Sequence, residues 1–209
     1  MKLYSAPDPA PNPRRVRLFM AEKGIEIPEE MVSLRKREHK APEFREKNLM
    51  GQVPTLELDD GRTISETVSI CRYLEALHPS PPLFGVDAFG VAEVDMWIRR
   101  AEFALMTPVG MFWRHAHPFT AALLTQFKDF GESNRELYAA GCKVFDRALA
   151  SGRPFLTGDS YTMADICALS TIDFATWIGL ELPDEAAHLR EWHERVTARP
   201  SVARAASPA

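Results

Sequence analysis

A proline-rich segment divides the chain into two halves with different sequence patterns. Residues 78–82 contain three prolines, and prolines at this density form a stiff connector at which regular structure ends. Strand-like and helix-like segments alternate before this connector, whereas the segments after it have apolar residues at helical spacing. We therefore predict an α/β domain over residues 1–79, a linker over residues 80–87 and an all-helical domain over residues 88–209.

The N-terminal half carries local signals for both strands and helices. Four short segments have the apolar or alternating pattern of strands: residues 2–4, 31–34, 55–58 and 62–64. Asp60-Gly61 predicts the tight turn of a hairpin between the last two. Asn12 and Ser65 are the predicted N-caps of two helices, because their side-chain oxygens can accept from first-turn amides. Gly24 is the predicted end of the first helix, since glycine readily adopts the left-handed conformation of a C-cap.

The C-terminal half has helical periodicity throughout. The helical stretches cover residues 88–114, residues 119–150, a segment that begins at Thr162, and residues 185–198. Thr162 and Asp165 form a variant of the capping box, which marks a helix start. No strand pattern occurs in this half. The predicted fold class is therefore α/β followed by all-α.

Composition excludes several classes of partner. The chain has 25 basic and 29 acidic residues, so we expect neither the basic face nor the partners of a nucleic-acid-binding protein. Arg14, Arg15 and Arg17 cluster on the first predicted helix, where a solvated face is expected. No apolar run approaches the roughly 20 residues of a transmembrane helix, and no signal peptide is recognisable. Three widely spaced cysteines form no disulfide framework. We expect a cytoplasmic protein without a membrane partner.

Two short segments of the N-terminal half are suited to hold a small ligand. Proline at position 54, before an apolar strand, often follows a cis bond, and the backbone of Val53 would then face outward, where an extended peptide can pair with it. Glu66 and Thr67 begin a predicted helix, whose free amides favour a carboxylate. The Glu66 side chain suits an ammonium group. Taken singly, these segments are better explained as a loop proline and an ordinary helix cap than as a ligand site.

With the order of strands and helices, these segments resemble the glutathione transferase superfamily. The resemblance extends along most of the chain, through residues 38–44, Asn48, 51–56, 60–74, 156–159, 162–166, Trp192 and 198–202. It implies a thioredoxin-like N-terminal domain, a helical C-terminal domain and a homodimer. It also implies that glutathione is a cosubstrate and that no cofactor or metal is permanently bound. Leu49 departs from the family, which usually has proline there.

The resemblance assigns a glutathione site to the N-terminal half. Val53, before an expected cis-Pro54, would pair with the cysteinyl backbone of glutathione. Glu66 and Thr67 would hold the ammonium and carboxylate of the γ-glutamyl group, with Thr67 in place of the commoner serine. Three residues are candidates for the glycyl carboxylate: His39, Lys40 and Gln52.

Three residues are candidates for the group that stabilises the glutathione thiolate. Glutathione chemistry needs a thiolate, and lowering a thiol pKa by about two units corresponds to roughly 2.7 kcal/mol. Ala10-Pro11-Asn12 resembles the Thr-Pro-Asn of the bacterial nu class, with the threonine lost, so Asn12 is the first choice of sulfur donor. A plain N-cap is the alternative role for Asn12. Ser5 is the second choice and Tyr4 the third.

The electrophile is expected to meet the first long helix of the second domain. The candidate pocket residues are Phe103, Met106, Thr107, Phe112, Trp113 and His115. Aromatic residues at helical spacing are more often core or dimer contacts, and this alternative stays open. His115 and His117 flank Ala116, but without a recognisable third ligand they predict no metal site.

The predicted function is transfer of the glutathione thiolate to a hydrophobic small molecule. Two alternatives remain at this stage. One is a glutathione-dependent disulfide reductase, which the nu-like segment favours. The other is a non-catalytic glutathione- or ligand-binding module, which the missing hydroxyl near Ala10 favours.

Overall fold

A four-stranded mixed sheet forms the centre of the N-terminal part of the chain. In the computed structural model, which describes residues 1–206, β1 (Lys2–Ser5) pairs in parallel with β2 (Glu29–Met31). On its other side β1 pairs antiparallel with β3 (Thr55–Glu57), which pairs antiparallel with β4 (Thr63–Ser65). The strand order is β2-β1-β3-β4. The hairpin was predicted by its Asp-Gly turn, in which Asp60 accepts from the Arg62 amide at 3.0 Å.

The predicted strand at residues 31–34 was misplaced. β2 covers Glu29–Met31 because it pairs with β1, which ends at Ser5. Val32 still donates its amide to the Ser5 carbonyl at 2.8 Å, and the ladder stops there. Two glutamates give this edge strand no apolar pattern, which is why the sequence pattern predicted the strand in the more apolar residues that follow it.

Three helices surround this sheet, and two predicted N-caps were wrong. The helices are α1 (Pro11–Lys23), α2 (Pro42–Lys47) and α3 (Thr67–Leu77), with a 3₁₀ turn at Glu38–Lys40. The N-cap of α1 is Ala10, not Asn12, because the proline after it suits the first helical position. The N-cap of α3 is Glu66, since Ser65 belongs to β4. Gly24 ends α1 with φ 65°, as predicted.

Two of the three arginines of α1 are buried rather than solvated, whereas Arg14 is half-buried. Arg15 and Arg17 are only 2% and 4% exposed, which contradicts the expected solvated face. The Arg17 guanidinium donates to the Ser5 hydroxyl and the Ala6 carbonyl, both at 3.0 Å, to Asp8 at 2.6 Å and to the Ala205 carbonyl at 3.1 Å. These acceptors satisfy the charge that burial would otherwise penalise.

The C-terminal segment belongs to the first of two compact units. One unit comprises residues 1–83 and the segment from Arg199 on, and the other comprises residues 84–198. Arg199 forms a bidentate ion pair with Glu22 at 2.7 and 2.8 Å, and α9 (Pro200–Arg204) packs on α1. This division differs from the predicted domain of residues 88–209, whose last three residues lie outside the described part of the chain.

The second unit consists of helices, as predicted. They are α4 (Ala88–Arg100), a π-helical segment (Ala101–Met106), α5 (Thr107–His115), α6 (Lys128–Leu149), α7 (Met163–Trp177) and α8 (Ala187–Thr197), with a 3₁₀ turn at Pro118–Thr120. Helix α6 packs closely against the π-helical segment at Gly141. A Cβ at this position would lie only 2.1 Å from the Ala104 carbonyl oxygen. The capping box of Thr162 and Asp165 begins α7. Within residues 1–206, no helix has the length and apolar character needed to cross a membrane.

Candidate active site

Three segments predicted to carry the site meet at one end of the sheet. Tyr4 of β1 pairs with Thr55 of β3, and Thr55 pairs in turn with Ser65 of β4. The loop that follows β1, the residues that precede β3 and the residues that follow β4 therefore lie beside one another. The strand register alone brings together segments that are separated by about 50 residues in the sequence.

Val53 presents main-chain groups that can receive a ligand. It is half-buried and packs against the cluster of Tyr4, Val32 and Phe44. The peptide bond to Pro54 is cis, as expected. Within residues 1–206, neither the amide nor the carbonyl of Val53 takes part in a backbone hydrogen bond. An extended peptide can therefore pair with Val53 as an added strand.

The start of α3 provides a second set of unpaired backbone groups. Glu66 is exposed and has φ 69°, a left-handed conformation that is strained for a residue with a side chain. Within the described part of the chain, the Glu66 side chain makes no capping hydrogen bond, so the first amides of the helix are open to an anion. Thr67 is buried at the first helical position. This geometry places the predicted acid and hydroxyl at the mouth of an uncapped helix.

The three candidates for the glycyl carboxylate have different surroundings. The Lys40 ammonium donates to the carbonyls of Met50 and Gly51 at 3.0 and 2.7 Å, so it also holds the loop before Val53. The buried Nδ1 of His39 has no hydrogen-bond partner within residues 1–206. Burial, together with the charges of Lys40 and Arg37, lowers the pKa of His39 and favours its neutral form. Gln52 is exposed.

The predicted sulfur donors are now distinguished by their contacts. Asn12 is the second residue of α1 and half-buried, and its side chain makes no hydrogen bond within residues 1–206. Ser5 is fully buried, and its hydroxyl accepts from Arg17 at 3.0 Å. The Tyr4 hydroxyl donates to Glu57 at 2.6 Å, while burial and this carboxylate raise the pKa of Tyr4. Of the three, Asn12 is the one whose donor is neither buried nor used in a contact within the described residues: Ser5 is fully buried, and the Tyr4 hydroxyl already donates to Glu57.

Asn48 is a residue of this region to which sequence reasoning assigned no role. It is 6% exposed and ends α2. Its side chain accepts from the Met50 amide at 3.0 Å and donates to the Gln52 carbonyl at 2.8 Å and the Thr55 hydroxyl at 3.1 Å. Apart from its place in the family-like segment, the sequence holds no local signal for these contacts, because they depend on the shape of the loop.

The predicted pocket residues of the second unit fall into two groups. Phe103 and Thr107 are exposed and Met106 is half-buried, all on the π-helical segment or the first turn of α5. Phe112 is buried, with the Arg135 guanidinium 4.3 Å from its ring centre. Trp113 belongs to an aromatic cluster with His117, Phe119, Phe174 and Trp177. Phe112 is therefore a core residue, and the others keep accessible surface.

The two histidines that flank Ala116 both contact aromatic rings. The His115 ring lies against Phe127 and Phe130. His117 stacks with Trp177 and accepts from the Phe119 amide at 3.3 Å. Burial lowers the pKa of His117. Among the described residues, no group of three or more His, Cys, Asp or Glu side chains is arranged to hold a metal ion.

Comparison with known proteins identifies the family. Residues 10–77 match the family model described as glutathione S-transferase, N-terminal domain, and residues 117–205 match the corresponding C-terminal domain. Glutathione S-transferase 2 of Saccharomyces cerevisiae is 39% identical over 206 residues, which cover 97% of this chain and 88% of that protein.

Solved structures show the same similarity over the whole fold. The crystal structure of Gtt2 from Saccharomyces cerevisiae matches with a TM-score of 0.91 at 37% identity, covering 98% of this chain and 100% of that chain. A glutathione S-transferase domain-containing protein from Marinobacter aquaeolei VT8 gives a TM-score of 0.90 at 36% identity, with 97% and 100% covered. The predicted fold class and resemblance are confirmed, and the chain belongs to the glutathione S-transferase family.

Proposed function

We propose that this glutathione transferase binds its cosubstrate by main-chain pairing at one end of the sheet. The cysteinyl backbone of glutathione pairs with Val53, beside Pro54, and the γ-glutamyl group is held by Glu66 and Thr67. The unpaired amide and carbonyl of Val53, next to the uncapped start of α3, carry this proposal. The glycyl carboxylate takes the charge of Lys40 and the polar groups of His39 and Gln52.

The sulfur is assigned to Asn12 at the start of α1. Its side-chain amide can donate to a thiolate, and the helix dipole favours negative charge at this end. A neutral thiol gains nothing comparable, so the interaction lowers the thiol pKa. Ser5 is the second choice, but its hydroxyl is buried and already engaged by Arg17.

The thiolate then attacks a hydrophobic electrophile, in the manner of a detoxifying transferase. Phe103, Met106, Thr107 and Trp113 provide the accessible apolar and polar surface for this second substrate, whereas Phe112 is a buried core residue. The relatives are named as transferases, which favours transfer over disulfide reduction and over a non-catalytic module.

The thiol pKa of bound glutathione tests the sulfur assignment. It is measured from thiolate absorbance in the complex, together with turnover of an aryl halide. We expect Asn12→Ala to raise the thiol pKa by about one unit, the equivalent of one hydrogen bond to a charged group. Asn12→Asp should raise it further, because a carboxylate repels the thiolate. Equal pKa values in all three proteins would exclude Asn12 as the donor.

A homodimer is supported by exposed apolar stripes on two helices. Phe89 and Met96 lie seven residues apart on α4, and Phe130, Leu137 and Val144 recur every seven residues along α6. These five side chains are 40–75% exposed. Stripes of this kind favour contact with another protein surface, and we assign them to a second copy of the chain.

Light scattering tests the dimer. The double variant Met96→Glu with Leu137→Glu places charges in both stripes and should sediment and scatter as a monomer. Lys36→Glu, at an exposed loop position, serves as the control and should leave the mass of a dimer. A monomeric wild-type chain at micromolar concentration would contradict the assignment.

We also propose a cytoplasmic location. Cys71, Cys142 and Cys167 are buried thiols that form no disulfide with one another within residues 1–206, as expected in a reducing compartment. Cell fractionation tests this directly, and recovery of the protein from a secreted fraction would contradict it.

A further inference from the structure

The loop that leads to Val53 is held in place by hydrogen bonds from the side chains of Lys40, Asn48 and Thr55 to its carbonyl groups. Val53 lies between α2 and β3, and its main-chain groups have no partner in the sheet. A peptide group that is free to rotate would lose orientation entropy when a ligand pairs with it. The affinity of the proposed docking strand therefore depends on what fixes the peptide plane that contains the Val53 amide.

That peptide plane is fixed through the carbonyl of the preceding residue. The Gln52 carbonyl and the Val53 amide belong to one planar peptide group and point in opposite directions. Asn48 donates to this carbonyl at 2.8 Å, and the Thr55 hydroxyl donates to it at 3.1 Å. Because both donors hold the oxygen on one side, the Val53 amide hydrogen is directed to the other side.

The Asn48 side chain is itself held in place. Its carbonyl oxygen accepts from the Met50 amide at 3.0 Å, which also determines the orientation of its amide group. Its Nδ2 atom donates to the Thr55 hydroxyl at 3.1 Å as well. The side chain is 6% exposed, so water does not compete for these contacts. Asn48 and Thr55 thus form one closed network around the residues that flank Val53.

We propose that Asn48 is a positioning residue for glutathione, which acts by directing the Val53 amide toward the cysteinyl carbonyl of the ligand. It does not touch the ligand. This inference rests on the proposed pairing of glutathione with Val53 and goes beyond it, because it names the side chain that makes the pairing effective. A purely structural role would lower stability without changing how the protein discriminates between ligands.

The experiment compares two ligands in two proteins. The ligands are S-methylglutathione and its analogue in which the cysteinyl–glycine amide is replaced by an ester, whose carbonyl is a weaker acceptor. Calorimetric titration of the wild type should show several-fold weaker binding of the ester. We expect Asn48→Ala to bind S-methylglutathione about tenfold more weakly, the loss of roughly one oriented hydrogen bond. Its affinity ratio for the two ligands should approach one.

The outcomes separate this inference from the proposed function. A wild type that binds both ligands equally would refute the Val53 pairing itself. A wild type that discriminates, with an Asn48→Ala variant that discriminates equally, would refute the role of Asn48 and leave the pairing intact. In kinetics, the variant should raise the KM for glutathione and change kcat by less than about twofold, because the sulfur contact is elsewhere.

Two further variants keep the test decisive where Asn48→Ala folds poorly. Asn48→Asp has the same shape and keeps the acceptor for Met50, but it places a carboxylate oxygen against the Gln52 carbonyl. It should therefore bind as weakly as the alanine variant. Thr55→Val removes the second donor to the Gln52 carbonyl and the hydroxyl that accepts from Asn48, but it keeps the bond from Asn48 to that carbonyl. Its affinity ratio should therefore lie between those of the wild type and Asn48→Ala. A wild-type ratio in Thr55→Val and Asn48→Asp would overturn the proposal.

Discussion

Replacement of Asp165 by asparagine should strongly destabilise the helical unit. Asp165 is fully buried at the start of α7 and accepts four hydrogen bonds. Its Oδ1 atom accepts from the Leu156 amide at 3.0 Å and the Trp192 indole at 2.9 Å. Its Oδ2 atom accepts from the amide and hydroxyl of Thr162 at 2.9 and 3.2 Å. The carboxylate therefore joins α7, α8 and the preceding loop.

The magnitude follows from the number of acceptor atoms. Asparagine offers one oxygen, so its NH₂ group must face either the Thr162 amide or the two N–H donors of Leu156 and Trp192. Even in the better orientation, one buried amide N–H loses its acceptor. Such a loss costs about 1–3 kcal/mol, and the remaining bonds lose their charge assistance. We expect a total of about 2–4 kcal/mol, or roughly 4–16 °C in Tm for a chain of this size.

Urea unfolding followed by circular dichroism measures this cost. Thr162→Val is the matched comparison, because it removes the hydroxyl with its capping bond and its weak contacts to Asp165 and Thr157 but keeps the Thr162 amide as a donor to Asp165. It should cost about 1 kcal/mol. Asp165→Asn should therefore unfold at a clearly lower urea concentration than Thr162→Val. If the two variants were equally stable, the reasoning that the Asp165 carboxylate joins three elements would be refuted.

Three further predictions concern the first unit. Burial raises the pKa of Glu22, but hydrogen bonds from Arg199 and Ser201 bring it below its ordinary value of 4.5. The stability that this carboxylate contributes is therefore present above that pH and is lost as the pH falls through the lowered pKa. In Glu22→Gln, the free energy of unfolding should accordingly fall less steeply with decreasing pH in the acid range. Gly51→Ala should cost about 1–3 kcal/mol and raise the KM for glutathione, since φ is 55° and the added Cβ would lie 2.6 Å from the His39 carbonyl. Glu66→Gln should raise that KM roughly tenfold with a smaller change in kcat, and an unchanged KM would exclude the ammonium contact.

Local sequence signals predicted those elements that local chemistry determines. The Asp60-Gly61 turn and the left-handed Gly24 are set by backbone preferences of their own residues, and both are found in the structure. The capping box of Thr162 and Asp165 needs only residues three apart, and it is present. These features do not depend on distant parts of the chain, which is why a single sequence contains enough information to place them.

Features that depend on distant partners could not be predicted in this way. Serine is a favourable residue type for an N-cap, but Ser65 pairs with Thr55 and is therefore part of β4. Arginine is usually a solvated residue type, but Arg17 is buried because its acceptors come from the β1–α1 loop and from Ala205, 188 residues away. In both cases a tertiary contact outweighs the local preference.

The proposed glutathione site combines both kinds of information. The segment around Val53 and the start of α3 were proposed from the sequence because each follows a local motif. Asn48 was assigned no role, because its contacts with the backbone of residues 50–52 exist only once the loop has its native shape. A sequence therefore indicates which residues meet the ligand more readily than it indicates which residues hold them in position.

This difference follows from the use of backbone groups for recognition. In the proposed site, the two principal contacts with glutathione are made by the Val53 peptide groups and by the amides at the start of α3, neither of which requires a particular side chain. Substitutions such as threonine at position 67 are then tolerated, because the amides remain in place. The residues whose type matters are then those that determine the backbone conformation, namely Asn48, Gly51 and the strained Glu66. We therefore expect substitutions at Asn48 and Gly51 to impair glutathione binding more than substitutions of exposed Gln52, although only Gln52 was a predicted ligand contact.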